Sequence, residues 1–255
     1  MPRRVTLLGT GTSTGVPVVT CDCAVCRSDD PRNRRTRPGI RVDLAGGTAV
    51  VDTSPDFRDQ ALRFGIGRVD AVLFTHPHAD HVFGLDDLRV YNFRQRAAIP
   101  CFGSERTIGR LRQIFSYVFE EGQEGGGKPK LDLIAVREPF DLLGEQVVPI
   151  PVWHGEMEVF GYRIGPFAVV TDVSRIPDEG YAALDGVEVL VLSALRYTPH
   201  PTHYSIEQAI EVAGRIGARR TLFTHIAHEV DHGNLRVPLP AGVEIGYDGL
   251  VVDFA

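Results

Sequence analysis

The stretch THPHADH, residues 75–81, follows the apolar run VDAVLF and places four ligand-type side chains within six positions. Imidazole and carboxylate groups at the end of a strand are typical ligands of zinc and related divalent ions. His76 and His78 lie two residues apart and can bind one ion. Asp80 and His81 are adjacent and can face a second ion beside it. The pattern therefore predicts a site for two metal ions where a strand passes into a helix.

Three further ligand-type residues each end an apolar run elsewhere in the chain. They are His154 after VVPIPVW, Asp172 after PFAVVT and His225 after RRTLFT. Two metal ions need more ligands than residues 75–81 supply, so other strand ends must contribute. We expect these three residues to complete the site.

Short β-rich runs alternate with helical stretches along the rest of the chain. We expect strands at RVTLLG, TAVVDT, VDAVLFT, VVPIPVW, PFAVVTD, VEVLVLS, RTLFTH and GLVVDFA. We expect helices at DFRDQALRFG, HVFGLDDLRVYNFRQR, SERTIGRLRQIFSYVF and SIEQAIEVAGRIG, with a capping box at Ser205 and Gln208 opening the last. Because no long linker and no repeat interrupts this order, it predicts one α/β layered domain over residues 1–255.

Composition and charge narrow the classes of function. The hydrophobic fraction of 43% and the charged fraction of 24% are typical of a folded globular protein. No run approaches the roughly 20 apolar residues of a membrane span, and we expect a cytoplasmic protein without a membrane partner. The formal net charge of −6 disfavours DNA or another long polyanion as partner and favours a small substrate. The glycine-rich segment at residues 120–130 is interpreted as a lid or a surface insertion.

The stretch CDCAVC, residues 21–26, holds three of the four cysteines. A zinc ion bound by three thiolates lacks one ligand of its tetrahedron, so a fourth would have to come from elsewhere in the chain. A disulfide, a redox pair and a nucleophile are the other readings of such a cluster. Cys101, in AIPCFG, is interpreted as a buried apolar residue.

These motifs resemble the metallo-β-lactamase superfamily, whose ligand motifs match the seven residues above in order. The resemblance implies a four-layer αββα sandwich with two metal ions between the sheets. It implies that His76, His78 and His154 bind one ion. It implies that a second ion is bound by Asp80, His81 and His225, with Asp172 bridging the two.

Within that superfamily the chain resembles the PhnP family of cyclic phosphodiesterases. The similar stretches are GTGTSTGVPVVTCDCAVC, PTHYSI, THIAHEVD and PLPAGVEIGYDGLVV. This resemblance implies a separate structural zinc, and it also suggests a homodimer. The ligands of that zinc would be Cys21, Cys23, Cys26 and His228.

The function predicted from the motifs and the resemblance is hydrolysis of small phosphodiesters, with cyclic ribose phosphates as candidates, by hydroxide bound to two zinc or manganese ions. Asp80 and His203 are predicted as catalytic residues, His203 as the proton donor to the leaving oxygen. His200 is a weaker candidate that is more readily a surface residue. His232 is assigned to the surface or to support of the zinc loop.

Two alternatives remain open. Another hydrolase of the superfamily, such as a tRNA 3′-end nuclease, a lactonase or a relative of the pyrroloquinoline quinone biosynthesis protein, has the same ligand motifs. The negative net charge weighs against tRNA as a substrate. The alternative from a different class is a zinc-stabilised binding module without turnover, which the complete ligand set disfavours.

Overall fold

The computed structural model describes residues 3–120 and 127–255. Most of the predicted lid, at residues 121–126, lies outside them. The strands of the described part are β1 (Arg3–Gly9), β2 (Gly39–Leu44), β3 (Gly47–Val51), β4 (Ala71–Leu73), β5 (Ile99–Gly103), β6 (Leu131–Ala135), β7 (Phe140–Leu142), β8 (Glu145–His154), β9 (Met157–Ile164), β10 (Phe167–Val170), β11 (Val189–Ser193), β12 (Arg220–Thr224), β13 (Val243–Ile245) and β14 (Val251–Phe254). The α-helices there are α1 (Phe57–Arg63), α2 (Ala79–Val82), α3 (Arg89–Gln95), α4 (Glu105–Ile114), α5 (Ser116–Phe119), α6 (Asp178–Ala183) and α7 (Ile206–Ile216).

The strands form two mixed sheets, each with seven strands in the described part of the chain. The first has the order β14-β1-β2-β3-β4-β5-β6, and the second has the order β13-β12-β11-β10-β9-β8-β7. Strands β3 to β6 are parallel to one another, and so are β10 to β13. Since β8 and β10 both pair antiparallel with β9, they run in the same direction. Their carboxyl ends therefore lie at the same edge of the second sheet.

Successive strand residues pack on opposite faces of each sheet, as the period of a strand requires. Val51 and Val191 belong to the apolar cluster that fills the space between the two sheets. Val50 belongs to the cluster under α1, α3 and α4, and Leu190 to the cluster under α6 and α7. Helices thus cover the outer face of each sheet, and the predicted αββα sandwich is confirmed.

The predicted capping box is present at the start of α7. The Ser205 hydroxyl accepts from the amide of Gln208, and the Gln208 side chain accepts from the amide of Ser205. The helix ends at Gly217, whose φ of 74° is left-handed and therefore suits glycine. This helix leads into β12 and so delivers His225 to the edge of the sheet.

The prediction of one continuous helix over residues 81–96 is wrong. The segment divides into the end of α2, a 3-10 helix at Leu85–Leu88 and α3. Gly84 stands at the break because a Cβ there would lie 2.1 Å from the Ser54 carbonyl oxygen. Its amide donates to the carbonyl of Thr53 at 2.9 Å, so the helix gives way to a contact with the segment after β3. The helix predicted over residues 104–119 is likewise interrupted, at Phe115 between α4 and α5.

No helix in the described residues is long and apolar enough to cross a membrane.

Candidate metal centre

Five strand ends place ligand-type side chains at one edge of the sandwich. Strands β4, β8, β10 and β12 lead to the predicted ligands, and β3 leads to a further carboxylate. The two sheets are joined here because the amide of Phe160 donates to the Thr75 carbonyl at 3.0 Å and the hydroxyl of Tyr162 donates to the Phe74 carbonyl at 2.8 Å. The carboxyl ends of parallel strands are where α/β proteins bind ligands.

The predicted first triad is brought together. One ring nitrogen from each member lies within 4.8 Å of the others, the members being His76, His78 and His154. His76 is fully buried and His154 is nearly so, whereas His78 is exposed at the mouth of the cluster. The ring centroids of His76 and His78 are 4.5 Å apart in an edge-to-face arrangement.

The predicted second triad lies beside the first. Its members satisfy the same distance limit and are Asp80, His81 and His225. Nε2 of His81 lies 3.4 Å from Oδ2 of Asp80, and Nε2 of His225 lies 3.6 Å from the same oxygen. The rings of His81 and His225 stack with centroids 5.9 Å apart.

Asp172 lies between the triads. Its Oδ2 is 3.2 Å from Nε2 of His81, and its Oδ1 is 3.3 Å from Nε2 of His225. It also groups with His76 of the first triad within the same limit. Asp172 has a φ of 52° and His225 has a φ of 58°, a left-handed conformation uncommon outside glycine. Such backbone strain at two strand ends is typical of functional sites.

The donor set fits two divalent ions. Six buried histidine ring nitrogens find no hydrogen-bond partner among the described residues, and three of them are the Nε2 atoms of His76, His81 and His225. A buried polar atom without a partner costs about 1–3 kcal/mol, so its presence needs an explanation. A metal site explains these three Nε2 atoms, because they lie beside carboxylates and their lone pairs are free to bind a metal ion.

Electrostatics point the same way. Burial lowers the pKa of His81, but the negative charges of Asp172 and Asp52 outweigh burial and raise that pKa well above its ordinary value. Burial raises the pKa of Asp172, but His225 and His81 outweigh it and hold that pKa well below its ordinary value. Buried carboxylates of this kind require a positive charge beside them, and a metal ion that supplies it would displace protons from the histidines.

Asp52, which we did not predict from the sequence, organises both triads. Its Oδ2 accepts from Nδ1 of His81 at 2.7 Å and from the hydroxyl of Thr75 at 2.8 Å, and its Oδ1 accepts from the Thr75 amide at 2.8 Å. Because the Thr75 hydroxyl donates to Asp52, it accepts from Nδ1 of His76 at 3.0 Å. Both histidines are thereby protonated at Nδ1, which leaves Nε2 free for a metal. The available signal was that Asp52 also follows an apolar strand.

His203 lies against both triads. Its ring stacks on His225 with centroids 4.9 Å apart and meets His154 edge-on at 4.6 Å. Its Nδ1 is 3.7 Å from Oδ1 of Asp172, and 9% of the residue is exposed. Burial lowers the pKa of His203 to about 3, with the charge of Asp172 opposing that shift. The distances also admit His203 as a ligand together with His154 and Asp172.

The predicted structural zinc ligands form a second, separate cluster. Nδ1 of His228 lies 3.2, 3.5 and 3.5 Å from the sulfurs of Cys21, Cys23 and Cys26, which are free thiols. The Cys26 amide, which points at the Cys23 sulfur, is the main cause that lowers the pKa of Cys23 to about 7, against burial. Three thiolates and one imidazole fit the closed tetrahedral site of a structural zinc.

The remaining candidate residues lie outside both clusters. Cys101 is fully buried in the apolar cluster beneath the helices of the first sheet. The amide of His232 donates to Oδ1 of Asn33 at 2.9 Å, which ties its loop to the segment after the cysteine cluster. His200 contacts the ring of His203, with centroids 5.1 Å apart.

Comparison with known proteins agrees with this geometry. Residues 48–226 match the model of the beta-lactamase superfamily domain. The chain belongs to the metallo-β-lactamase superfamily. A crystal structure described as a new diphosphatase from the PhnP family is 43% identical and superposes with a TM-score of 0.93. The match covers 100% of this chain and 98% of that chain. The chain is therefore a superfamily member close to PhnP.

Two curated relatives show how widely functions vary around this sequence. An octanoyltransferase of Porphyromonas gingivalis is 40% identical over 252 residues, which are 97% of this chain and 51% of that protein. The chain thus spans about half the length of that relative. A ribonuclease Z of Mycolicibacterium gilvum is 25% identical over 270 aligned positions, which cover 90% of this chain and 86% of that protein.

Proposed function

We propose that the protein is a metal-dependent phosphodiesterase that hydrolyses small phosphodiesters. The observation that carries the proposal is the position of His203, a nearly buried imidazole packed against two triads that Asp172 joins. Hydrolysis of a phosphodiester requires charge neutralisation at the phosphoryl oxygens and a proton for the leaving oxygen. The triads and His203 meet these two requirements within one cluster.

The chain's own residues would divide the work as follows. The triads would hold two zinc or manganese ions, which when bound supply Lewis-acid charge and lower the pKa of a water molecule. Asp172 and Asp80 would be ligands of these ions, and Asp80 would also be a catalytic residue. To donate a proton, His203 must be an imidazolium, the form that the negative charge of Asp172 favours, and Nε2 would then give its proton to the leaving oxygen. His78 is exposed and would therefore be accessible to a substrate.

The comparison with the PhnP-family diphosphatase supports phosphoryl chemistry. Hydrolysis of a diphosphate bond is the second candidate function, because that protein is 43% identical over almost the whole of both chains. The preference for five-membered cyclic ribose phosphates rests on the resemblance to the cyclic phosphodiesterases. The net charge of −6 favours a small substrate over a tRNA precursor, since it offers no attraction to a long polyanion.

Octanoyl transfer is not proposed for this chain. The alignment leaves about half of the octanoyltransferase relative unmatched, so its name carries no information on which half performs that reaction. A structural zinc at the cysteine cluster, a homodimer and a cytoplasmic location complete the proposal. Sedimentation of the purified protein tests the homodimer.

Steady-state kinetics on a panel of substrates test the proposal. The panel holds bis(p-nitrophenyl) phosphate, a ribose cyclic phosphate, a dinucleoside diphosphate, a β-lactam, a homoserine lactone and a tRNA precursor. We expect the highest kcat/KM on one of the first three, and poor or absent opening of the β-lactam. A higher kcat/KM for the lactone or the tRNA precursor than for all three phosphoryl substrates would overturn the assignment.

A further inference from the structure

The orientation of His154 is set by a loop from another part of the second sheet. Nδ1 of His154 donates to the carbonyl of Thr202 at 2.8 Å, across 48 residues of sequence. A carbonyl partner requires the proton on Nδ1, so Nε2 keeps its lone pair for the first triad. A histidine that binds a metal commonly owes its tautomer and ring angle to such a partner.

The amide of Thr202 is itself bound by a side chain two residues earlier. The Thr202 amide donates to Nδ1 of His200 at 3.3 Å, and the Thr202 hydroxyl lies 3.2 Å from the same nitrogen. A side-chain acceptor that bonds the amide two residues on closes a small turn, as Asn and Asp do in Asx-turns. The loop is anchored at both ends by the hydrogen bond from the Leu195 amide to the Tyr204 carbonyl, at 2.9 Å.

Close packing limits where Thr202 can move. Gly155, directly after His154, has a φ of 59°, and a Cβ there would lie 2.9 Å from Cγ2 of Thr202. The turn after β8 and the loop that carries Thr202 therefore touch without spare room. A change in the turn at His200 would shift the Thr202 carbonyl relative to the His154 ring.

We propose that His200 is a positioning residue for the first triad, acting on His154 through the backbone of Thr202. This inference rests on the metal sites of the proposed function, and it assigns to His200 a role other than that of a surface residue or a proton donor. His200 does not belong to either triad. Its contribution is the acceptor nitrogen that fixes the turn.

Three variants separate this role from a general loss of structure. His200→Ala removes the acceptor, and we expect about a 10-fold loss of metal affinity at the first triad. This is the lower end of the loss of about 10- to 100-fold for a group bonded directly to a metal-binding histidine, because His200 acts through Thr202. His200→Asn restores an acceptor for the amide two residues on and should recover most of that affinity. Arg196→Ala is the matched control, because the side-chain contacts of Arg196 in the same loop are with Thr198 and Glu229.

Titration of the metal-depleted protein with Co²⁺ against a chromophoric chelator measures the effect without turnover. Thiolate-to-cobalt absorption marks the cysteine cluster, and the d–d bands report the histidine sites. We expect one weakened histidine site in His200→Ala, an unchanged second site, and wild-type behaviour in Arg196→Ala. Circular dichroism checks that each variant is folded.

Two results would overturn the positioning role: wild-type affinity in His200→Ala, or equal losses in the Ala and Asn variants. Wild-type protein that takes up no cobalt at the histidine sites would overturn the metal centre and this inference with it. Normal cobalt uptake with the expected variant pattern, but no hydrolysis of any phosphoryl substrate, would remove the proposed function and leave the role of His200 intact.

Discussion

Replacing Asp52 tests whether one carboxylate orients ligands of both triads. Asp52 is 1% exposed and accepts three hydrogen bonds, from the Thr75 amide, the Thr75 hydroxyl and Nδ1 of His81. Asp52→Ala leaves those buried donors without partners at about 1–3 kcal/mol each, so we expect the free energy of unfolding to fall by about 4 kcal/mol. At about 2–4 °C per kcal/mol for a chain of this size, the melting temperature should fall by about 10 °C.

Asp52→Asn separates stability from ligand orientation. The amide oxygen can replace Oδ1 and still accept from the Thr75 amide, so we expect a smaller loss than in Asp52→Ala, about 2 kcal/mol. The amide nitrogen cannot accept from His81, whose proton would then move to Nε2, the atom that faces Asp172. We expect metal affinity to fall about 10- to 100-fold while the fold is kept.

Two measurements read these effects independently. Thermal unfolding in the presence of chelator reports stability without the contribution of bound metal. Elemental analysis after dialysis against a buffered metal solution reports occupancy. Wild-type occupancy in Asp52→Asn would refute the idea that Asp52 sets the tautomer of His81, even if Asp52→Ala proved unstable.

Three further outcomes are expected. Replacing Cys21, Cys23 and Cys26 by serine should remove one zinc per chain and lower the melting temperature, because a structural zinc contributes folding free energy. Elemental analysis should show that the two other ions remain. A disulfide in the native protein would contradict this expectation. Asp172→Ala should lose metal and activity together, whereas His203→Ala should keep both catalytic ions and lower kcat about 10²-fold. The loss of kcat should be smaller for a substrate with a nitrophenolate leaving group. Loss of an ion from the His203 variant would show that His203 is a ligand. Asp248→Ala removes a carboxylate that is 7% exposed and accepts four hydrogen bonds. Urea unfolding should show that the free energy of unfolding falls by about 4 kcal/mol. Asp253→Ala is the control, because Asp253 is exposed and its loss should change that free energy by about zero.

The sequence alone was enough to predict which ligand-type residues lie together at the site. His76, His78, Asp80 and His81 form a local motif, and the other three ligand-type residues each follow an apolar run. A strand leaves the apolar core at its end, so a ligand-type residue that follows an apolar run is expected at the edge of a sheet. The capping box of Ser205 follows equally from neighbouring residues. Each of these signals lies within a few positions of the chain.

Tertiary structure alone decided which partners orient those ligands. Asp52 meets His81 across 29 residues, and Thr202 meets His154 across 48. The same cause broke the predicted helix at Gly84, whose neighbour is the backbone of Ser54. Such contacts arise from the packing of two sheets and their connecting loops, and no local periodicity records them. The residue types determine which chemistry the site can perform. The orientation of the ligand side chains depends on which distant segments the fold brings within hydrogen-bond distance.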